Sequence, residues 1–232
     1  HCRSDTLSRL ANSFSDPKIG AVCGIKVTSP ESSDFPYRRR YNVIRLAESI
    51  RDSTPIFEGS IAAFRMDAIK EKRIDEDVNA DDSQLALLSK LNGFRSIVNP
   101  QVEFWEDPIS INRKRLVRRA QGLSRILFRH RKMCFGSGEF AKIMRMNLYF
   151  YLLFPWIISI FTLSAVFSGL IWRGVSIVEY HFGASILLSS AVIAIFLYFP
   201  SIRSLYTGAS IVIESHLRLI FGNRLHIWDT NR

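Results

Sequence analysis

The sequence predicts an α/β layered domain that runs into membrane-spanning helices, and three observations predict it. Strand-like and helix-like patterns alternate through residues 1–146 of a 232-residue chain, the pattern of strands covered by helices. From Asn147 onward the composition turns strongly apolar, with two long runs that carry no formal charge. The net charge of +10 is concentrated directly ahead of the first of those runs.

Each element follows from its own residues. Ser4 or Asp5 ahead of Leu7, Leu10 and Ala11 reads as a capped helix over 4–14. Asp16-Pro17 ends it, and "IGAVCGIKV" (19–27) reads as a strand. A polar loop over 28–36 leads to a helical stretch containing "RRRYNVIRLAESI". "GSIAAFR" (59–65) reads as a strand and "MDAIKEK" as a short helix. An acidic junction, with Asp75, Glu76 and Asp77 before Asp81 and Asp82, opens the helix "SQLALLSKLNG", which Gly93 stops. "FRSIV" and "VEFWE" read as two strands around an Asn99-Pro100 turn, and 112–130 as a basic helix. There is no internal repeat. Cys2, Cys23 and Cys134 are odd in number and irregular in spacing, which fits reduced thiols facing the cytosol. The start is polar, without the apolar core of a signal peptide. It has no initiator Met and enters a helix at once, so a fragment of a longer protein is expected.

"NLYFYLLFPWIISIFTLSAVFSGL" (147–170) is 24 residues without a charge; at ~1.5 Å per residue it reaches roughly 36 Å, more than a bilayer core of about 30 Å. "FGASILLSSAVIAIFLYFP" (182–200) is a second such run. Two spans over 147–200 are expected; two buried core helices are the alternative. Between Arg113 and Arg145 stand 11 Lys/Arg against the single acid Glu139. The tendency of positive charge to stay inside then places residues 1–146 in the cytoplasm, at the cell membrane. Residues 201–232 read as an interfacial amphipathic helix and cytoplasmic tail, with a third span as the minority reading. His130, His181, His216 and His226 have no site-like spacing.

The adjacent acids at 81 and 82 carry the functional question. One aspartate at a helix start is a common cap. A second beside it concentrates charge that capping does not require, and a catalytic carboxylate is the sharper reading.

The order of motifs resembles the second half of a family 2 glycosyltransferase, an inverting enzyme of GT-A type. The residues that carry the resemblance are "ADDSQLALLSKLNGFRSIVNPQVEFWEDP", then "RLVRRAQG", with "FEGSIAAFR" and "HCRSDTLSRLANSFSDPKIGAVCG" upstream. It covers roughly residues 1–130 and implies a partial GT-A domain followed by transmembrane helices. The resemblance implies Asp82 as general base and Asp81 as its neighbour orienting the acceptor. It places Glu58, Gly59 and Ser60 in the acceptor-side strand. It makes Arg118 the arginine of a Gln-x-x-Arg-Trp motif, although Arg115 stands where Gln is expected and Arg119 where Trp is expected. These arginines would pair with a leaving diphosphate or a lipid phosphate; a juxtamembrane basic helix on anionic lipid is the alternative. His1 matches the last residue of an Asp-x-His metal motif, implying Mn²⁺ or Mg²⁺; an ordinary residue is the alternative. A carboxylate at a helix N-terminus is expected to keep a low pKa.

The partners implied are a nucleotide-sugar donor, a lipid-linked or polysaccharide acceptor, and membrane lipid. The sequence has no Gly-rich phosphate loop and no nucleotide-binding first strand, so the chain alone is expected to be inactive. A membrane-anchored basic binding protein is the competing class, and a small permease subunit a third. Nucleic acid is not an expected partner, because the basic helix abuts the bilayer and lacks interleaved aromatics.

Overall fold

The computed structural model describes residues 1–32, 35–70, 74, 79–106, 112–175 and 200–222. Helix α1 (Thr6–Ser13) is followed by strand β1 (Ile19–Lys26), helix α2 (Phe35–Arg51), strand β2 (Ala62–Phe64), one turn of helix α3 (Met66–Ile69), helix α4 (Asp81–Leu91) and strand β3 (Arg95–Phe104). Helix α5 (Arg113–Arg129), a 3₁₀ segment (Arg131–Phe135), helix α6 (Glu139–Leu148), a π-helical turn (Tyr149–Leu153) and helices α7 (Phe154–Val175) and α8 (Pro200–Ile220) complete the described chain. The acidic stretch 75–77 and the expected second span, apart from Pro200, lie outside the described residues.

The three strands form a sheet in the order β2-β1-β3, β2 antiparallel and β3 parallel to β1. Alternation along β1 sends side chains to opposite faces. Val22 joins Leu10, Ile19 and Val102 beneath α1, and Ala21 and Cys23 join Phe57, Ala86 and Val98 beneath α4. The opposite side of α4 carries Leu87 into a second core with Ile126 and Leu127 of α5 and Phe140 and Met144 of α6. Helix α4 is therefore buried on two sides, which fixes its direction. Gly93, at φ +86°, ends it as expected, in a conformation that favours glycine.

Two sequence expectations are corrected, and the burial of one helix is a finding of the structure. The residues around Asn99-Pro100 do not turn back into a second strand: β3 is one strand, paired to β1 as Cys23↔Val98 and then Ile25↔Glu103. The intervening residues bulge, with Asn99 Oδ1 accepting from the Gln101 N–H at 2.9 Å. The strand expected over 59–65 shrinks to three residues, because 57–60 is held as a loop. Helix α2 is inside-out. Arg45 and Glu48 are 5% and 8% exposed while Val43 and Ile50 are 62% and 73% exposed.

That inversion has a local cause. Arg45 and Glu48 pair at 2.9 Å, Arg45 donates to Asn147 Oδ1 at 2.9 Å, and Asn147 Nδ2 donates to Glu48 Oε1 at 2.7 Å. Thr54 Oγ1 completes the set on Glu48 Oε2 at 2.7 Å. This closed network ties α2 to the end of α6. From there the helix continues through the π turn into α7, and the widened turn lies just before Pro155, whose missing N–H cannot serve a regular α-turn. Among the described residues one helical stretch, Glu139–Ser164, is long and apolar enough to cross a membrane, by length and composition. Its side chains at Ile157, Ile160, Phe161 and Leu163 are uncovered. Helix α8 lies against both α5 and α7. Arg113 donates to Glu214 Oε2 at 2.9 Å, and His216 links Ser124 and Trp156, each at 3.0 Å.

Candidate active site

The acidic pair opens α4, but neither acid is its N-cap. Ala80 holds that position without a side-chain cap, and Asp81 and Asp82 are the first two helical residues. Asp81 is exposed and Asp82 half-buried. Asp82 Oδ1 accepts from the Ser83 N–H at 2.7 Å. The aspartate cap expected from sequence is thus absent, because the helix starts one residue earlier and Asp82 turns toward the sheet.

What covers Asp82 is the loop 57–60. A Cβ added to Gly59 would lie 2.7 Å from Asp82 Oδ2, so a larger residue there would force the carboxylate to shift. The Phe57 N–H donates to Ser83 Oγ at 3.1 Å, fixing one end of the loop to α4. Glu58 is engaged in an ion pair with Arg38 of α2. At the other end Ser60 Oγ donates to Glu106 Oε1 at 2.8 Å, and Lys26 Nζ of β1 donates to Glu106 Oε2 at 2.7 Å. Glu58, Gly59 and Ser60 therefore form one continuous wall beside Asp82.

Helix α5 supplies the opposite wall. A Cβ on Gly122 would stand 3.0 Å from the Asn79 carbonyl carbon and 3.2 Å from the Ala80 nitrogen, so α5 touches the backbone just ahead of the acidic pair. Arg119, Arg118 and Arg115 precede Gly122 by three, four and seven residues and share its helical face. The contact thereby brings Arg119 near enough to act on Asp82, with Arg118 and Arg115 beside it on the same helix. Their proximity to one another is felt by Arg118, whose pKa falls through burial and then through Arg115 and Arg119. Arg115 Nε is buried with no hydrogen-bond partner among the described residues.

The two carboxylates near Arg119 are held in opposite states. Burial pushes the Asp82 carboxyl up to about 6; the Ser83 N–H opposes this, Asp81 and Glu58 add to it, and Arg119 opposes it. The low value expected from a helix N-terminus is corrected here, because loss of water outweighs a single backbone donor. Glu106 meets the reverse. Burial works against its charge, but Lys26, Ser60 and Arg119 together hold it down at about 2.

His1 lies farther along the same rim. Its backbone pairs reciprocally with Trp105, at 2.9 and 3.0 Å, and its ring stacks on the Trp105 indole with centroids 6.4 Å apart. Trp105 precedes Glu106, so the sequence of contacts runs from Asp82 through Gly59 and Ser60 to Glu106 and His1. Among the described residues no three His, Cys, Asp or Glu side chains converge as a metal site. His1 alone does not make one, and the neighbouring Glu106 is occupied by Lys26 and Ser60.

The structure thus brings Asp82, Gly59, Ser60 and Arg119 to one place, with Arg115 and Arg118 beside Arg119 and His1 farther along the rim. Sequence reading missed Glu106, Lys26, Arg38 and Gly122. The signal available for Glu106 was an acid at the end of β3 beside a tryptophan, directly after the bulged strand. Nothing local marked Gly122 as a contact with residues 79 and 80.

Residues 1–205 match the family described as Glycosyl transferase family group 2. The chain belongs to that family. Among solved structures, this family 2 chain is similar to the mannosyltransferase PcManGT from Pyrobaculum calidifontis in complex with GDP-Man and Mn²⁺. The TM-score is 0.73 at 26% identity, over 99% of this chain and 59% of that one. The mixed α/β layers of this chain are accordingly GT-A-like, and it spans about three fifths of the length of that mannosyltransferase. Comparison with the curated proteins finds no match.

Proposed function

We propose that this chain forms the acceptor side of a membrane-bound, inverting glycosyltransferase in which Asp82 is the general base. The observation that carries the reading is the half-buried Asp82 carboxyl, pressed against Gly59 and acted on by Arg119 of α5, tuned to about 6. A base with a pKa near the working pH is ionised when needed and still accepts a proton readily.

The step balances as follows. The Asp82 carboxylate takes the proton of an acceptor hydroxyl, and that oxygen attacks the anomeric carbon of the donor. The bond to the diphosphate breaks on the opposite face, and the nucleoside diphosphate leaves with the electron pair. Asp81, exposed at the start of α4, orients acceptor hydroxyls. Arg115, Arg118 and Arg119 face the growing diphosphate charge or a lipid-borne phosphate. Glu58, Gly59 and Ser60 shape the acceptor side of the cleft.

That PcManGT was solved with GDP-Man and Mn²⁺ supports a nucleotide-sugar donor and a divalent metal. His1 is the candidate ligand in this chain; a hard cation takes about six ligands, the others coming from the donor diphosphate and groups beyond the described residues. The chain spans 59% of the length of PcManGT, and its 232 residues by themselves are expected not to turn over. The uncovered apolar helix after the basic segment supports membrane attachment with residues 1–146 on the cytoplasmic side. A lipid-linked acceptor fits arginines set beside that helix, and a polysaccharide is the alternative.

The test is transfer by the full-length protein in native-lipid membranes, against a panel of nucleotide sugars that includes GDP-mannose. Asp82→Asn should lower transfer by at least ~100-fold while donor binding stays nearly unchanged. Full activity in that variant would remove Asp82 from the chemistry.

A further inference from the structure

Loop 57–60 is pinned at three points, and they are not equivalent. Phe57 is tied to Ser83 within the helix that carries Asp82, and Glu58 to Arg38 of α2. The third point reaches across to the end of β3. Ser60 donates to Glu106, which follows β3, and Glu106 is in turn anchored by Lys26 at the end of β1. Ser60 is exposed and Glu106 half-buried, yet the residue between Ser60 and Glu58 is the glycine pressed against Asp82 Oδ2.

We infer that the Ser60–Glu106–Lys26 chain is a positioning device for Asp82. It holds the loop down so that Gly59 keeps water from one face of the carboxylate, and it fixes that carboxylate's direction toward the acceptor hydroxyl. The inference rests on Asp82 acting as the base. Glu106 suits the task because it is an anchored charge: with both oxygens engaged it does not compete for the acceptor proton. It also shares the field of Arg119 with Asp82. That sharing keeps the guanidinium from acting on Asp82 alone, which would make the base weaker.

The charged and titratable groups facing Asp82 are Glu58 from the loop, Asp81 on its own helix, Arg119 from α5 and the Cys23 thiol from β1. None of them is altered by Ser60→Ala, which removes only the tie. Freed of it, the loop lifts, water reaches Asp82, and its pKa falls toward the ordinary carboxylate range. Glu106→Ala acts in the same direction and more strongly, because Arg119 then bears on Asp82 alone. Glu106→Gln keeps an acceptor for Ser60 and stays between that variant and the native protein.

Two readouts test this in the full-length protein. The acid limb of the kcat/KM pH profile, near pH 6 in the native enzyme, should move down by about one pH unit in Ser60→Ala, further in Glu106→Ala and less in Glu106→Gln. A purely structural loss would scale activity at every pH and leave the limb in place. The second readout needs no turnover: the rise in melting temperature caused by Asp82→Asn at pH 8 should shrink by about half when Ser60→Ala is already present. An unmoved acid limb together with an unchanged rise overturns the inference. If Asp82→Asn remains active, the base assignment fails, and the melting comparison still reports whether the tie burdens the carboxylate.

Discussion

Replacing Asp82 by Asn should make the protein more stable, not less. The folded protein holds this carboxyl at about 6 against an ordinary 3.8. At ~1.36 kcal/mol for each pH unit, the charged form costs up to about 3 kcal/mol in the fold at neutral pH. Asp82 is half-buried and water screens part of that cost, so ~1–3 kcal/mol is the working range. The sign follows from proton binding. Between roughly pH 4 and pH 6 the folded chain holds a proton that the unfolded chain has released, so stability falls as pH rises through that window. Above about pH 6 the cost is complete, and below about pH 4 it has vanished. Asn keeps the shape and the oxygen that accepts from the Ser83 N–H but carries no charge. Its melting temperature should therefore exceed that of the native protein by roughly 4–8 °C at pH 8 and match it at pH 4. Thermal melting in detergent micelles, followed by circular dichroism at both pH values, measures this. Equal melting temperatures at pH 8, or a lower one for Asn, would refute the claim that burial strains the carboxylate.

Other outcomes follow from the same contacts. Gly122→Ala places a methyl about 3 Å from the backbone of Asn79 and Ala80; the displaced α5 should cost ~1–3 kcal/mol in denaturant melts and carry the arginines away from Asp82, lowering transfer at saturating donor. Arg45→Met strands Glu48, whose pKa burial already raises, and should cost ~3–5 kcal/mol in urea unfolding; Arg45→Met with Glu48→Leu should recover much of the loss. Gly59→Ala should lower kcat more than donor affinity in single-turnover assays, since the added carbon strikes Asp82 Oδ2 at 2.7 Å and leaves the arginines alone.

Much of the fold was legible because it is local. Gly93 stops α4 where a left-handed residue is needed, and Asn112 caps α5 by accepting from the Lys114 N–H at 2.9 Å. The alternation of "IGAVCGIK" gives β1 its two faces. What failed was long-range. Nothing local marks Arg45 and Glu48 as buried, because their partner Asn147 lies about a hundred residues away at the head of the apolar run. The Asn99-Pro100 pair carries a turn signal, yet β1 continues alongside and captures both flanks, turning a hairpin corner into a bulge. At the site, the place of Asp82 at a helix start was legible and its ionisation was not. A sequence shows that a carboxylate stands at a helix start; it does not show that a glycine more than 20 residues earlier closes over it.

The opposite tuning of Asp82 and Glu106 is the feature that most needs a functional cause. Both are acids beside Arg119, and both are partly withdrawn from water. A protein selecting only for stability would give each a cation or an apolar replacement, since an unpaired half-buried carboxylate is a net cost. Glu106 receives Lys26 and Ser60, whereas Asp82 receives one backbone N–H, a glycine and two neighbouring acids. The cation closest to Asp82 in effect, Arg119, is shared with Glu106 and lies on a helix face with two other arginines, where their mutual repulsion favours an incoming anion. On the proposed reading, a diphosphate that draws those guanidinium groups toward itself would take the Arg119 charge from Asp82 and make it a stronger base at the moment the acceptor hydroxyl must be deprotonated. Donor binding and proton abstraction are then linked through a single side chain, and the linkage gives a reason for keeping Asp82 costly while Glu106 is satisfied.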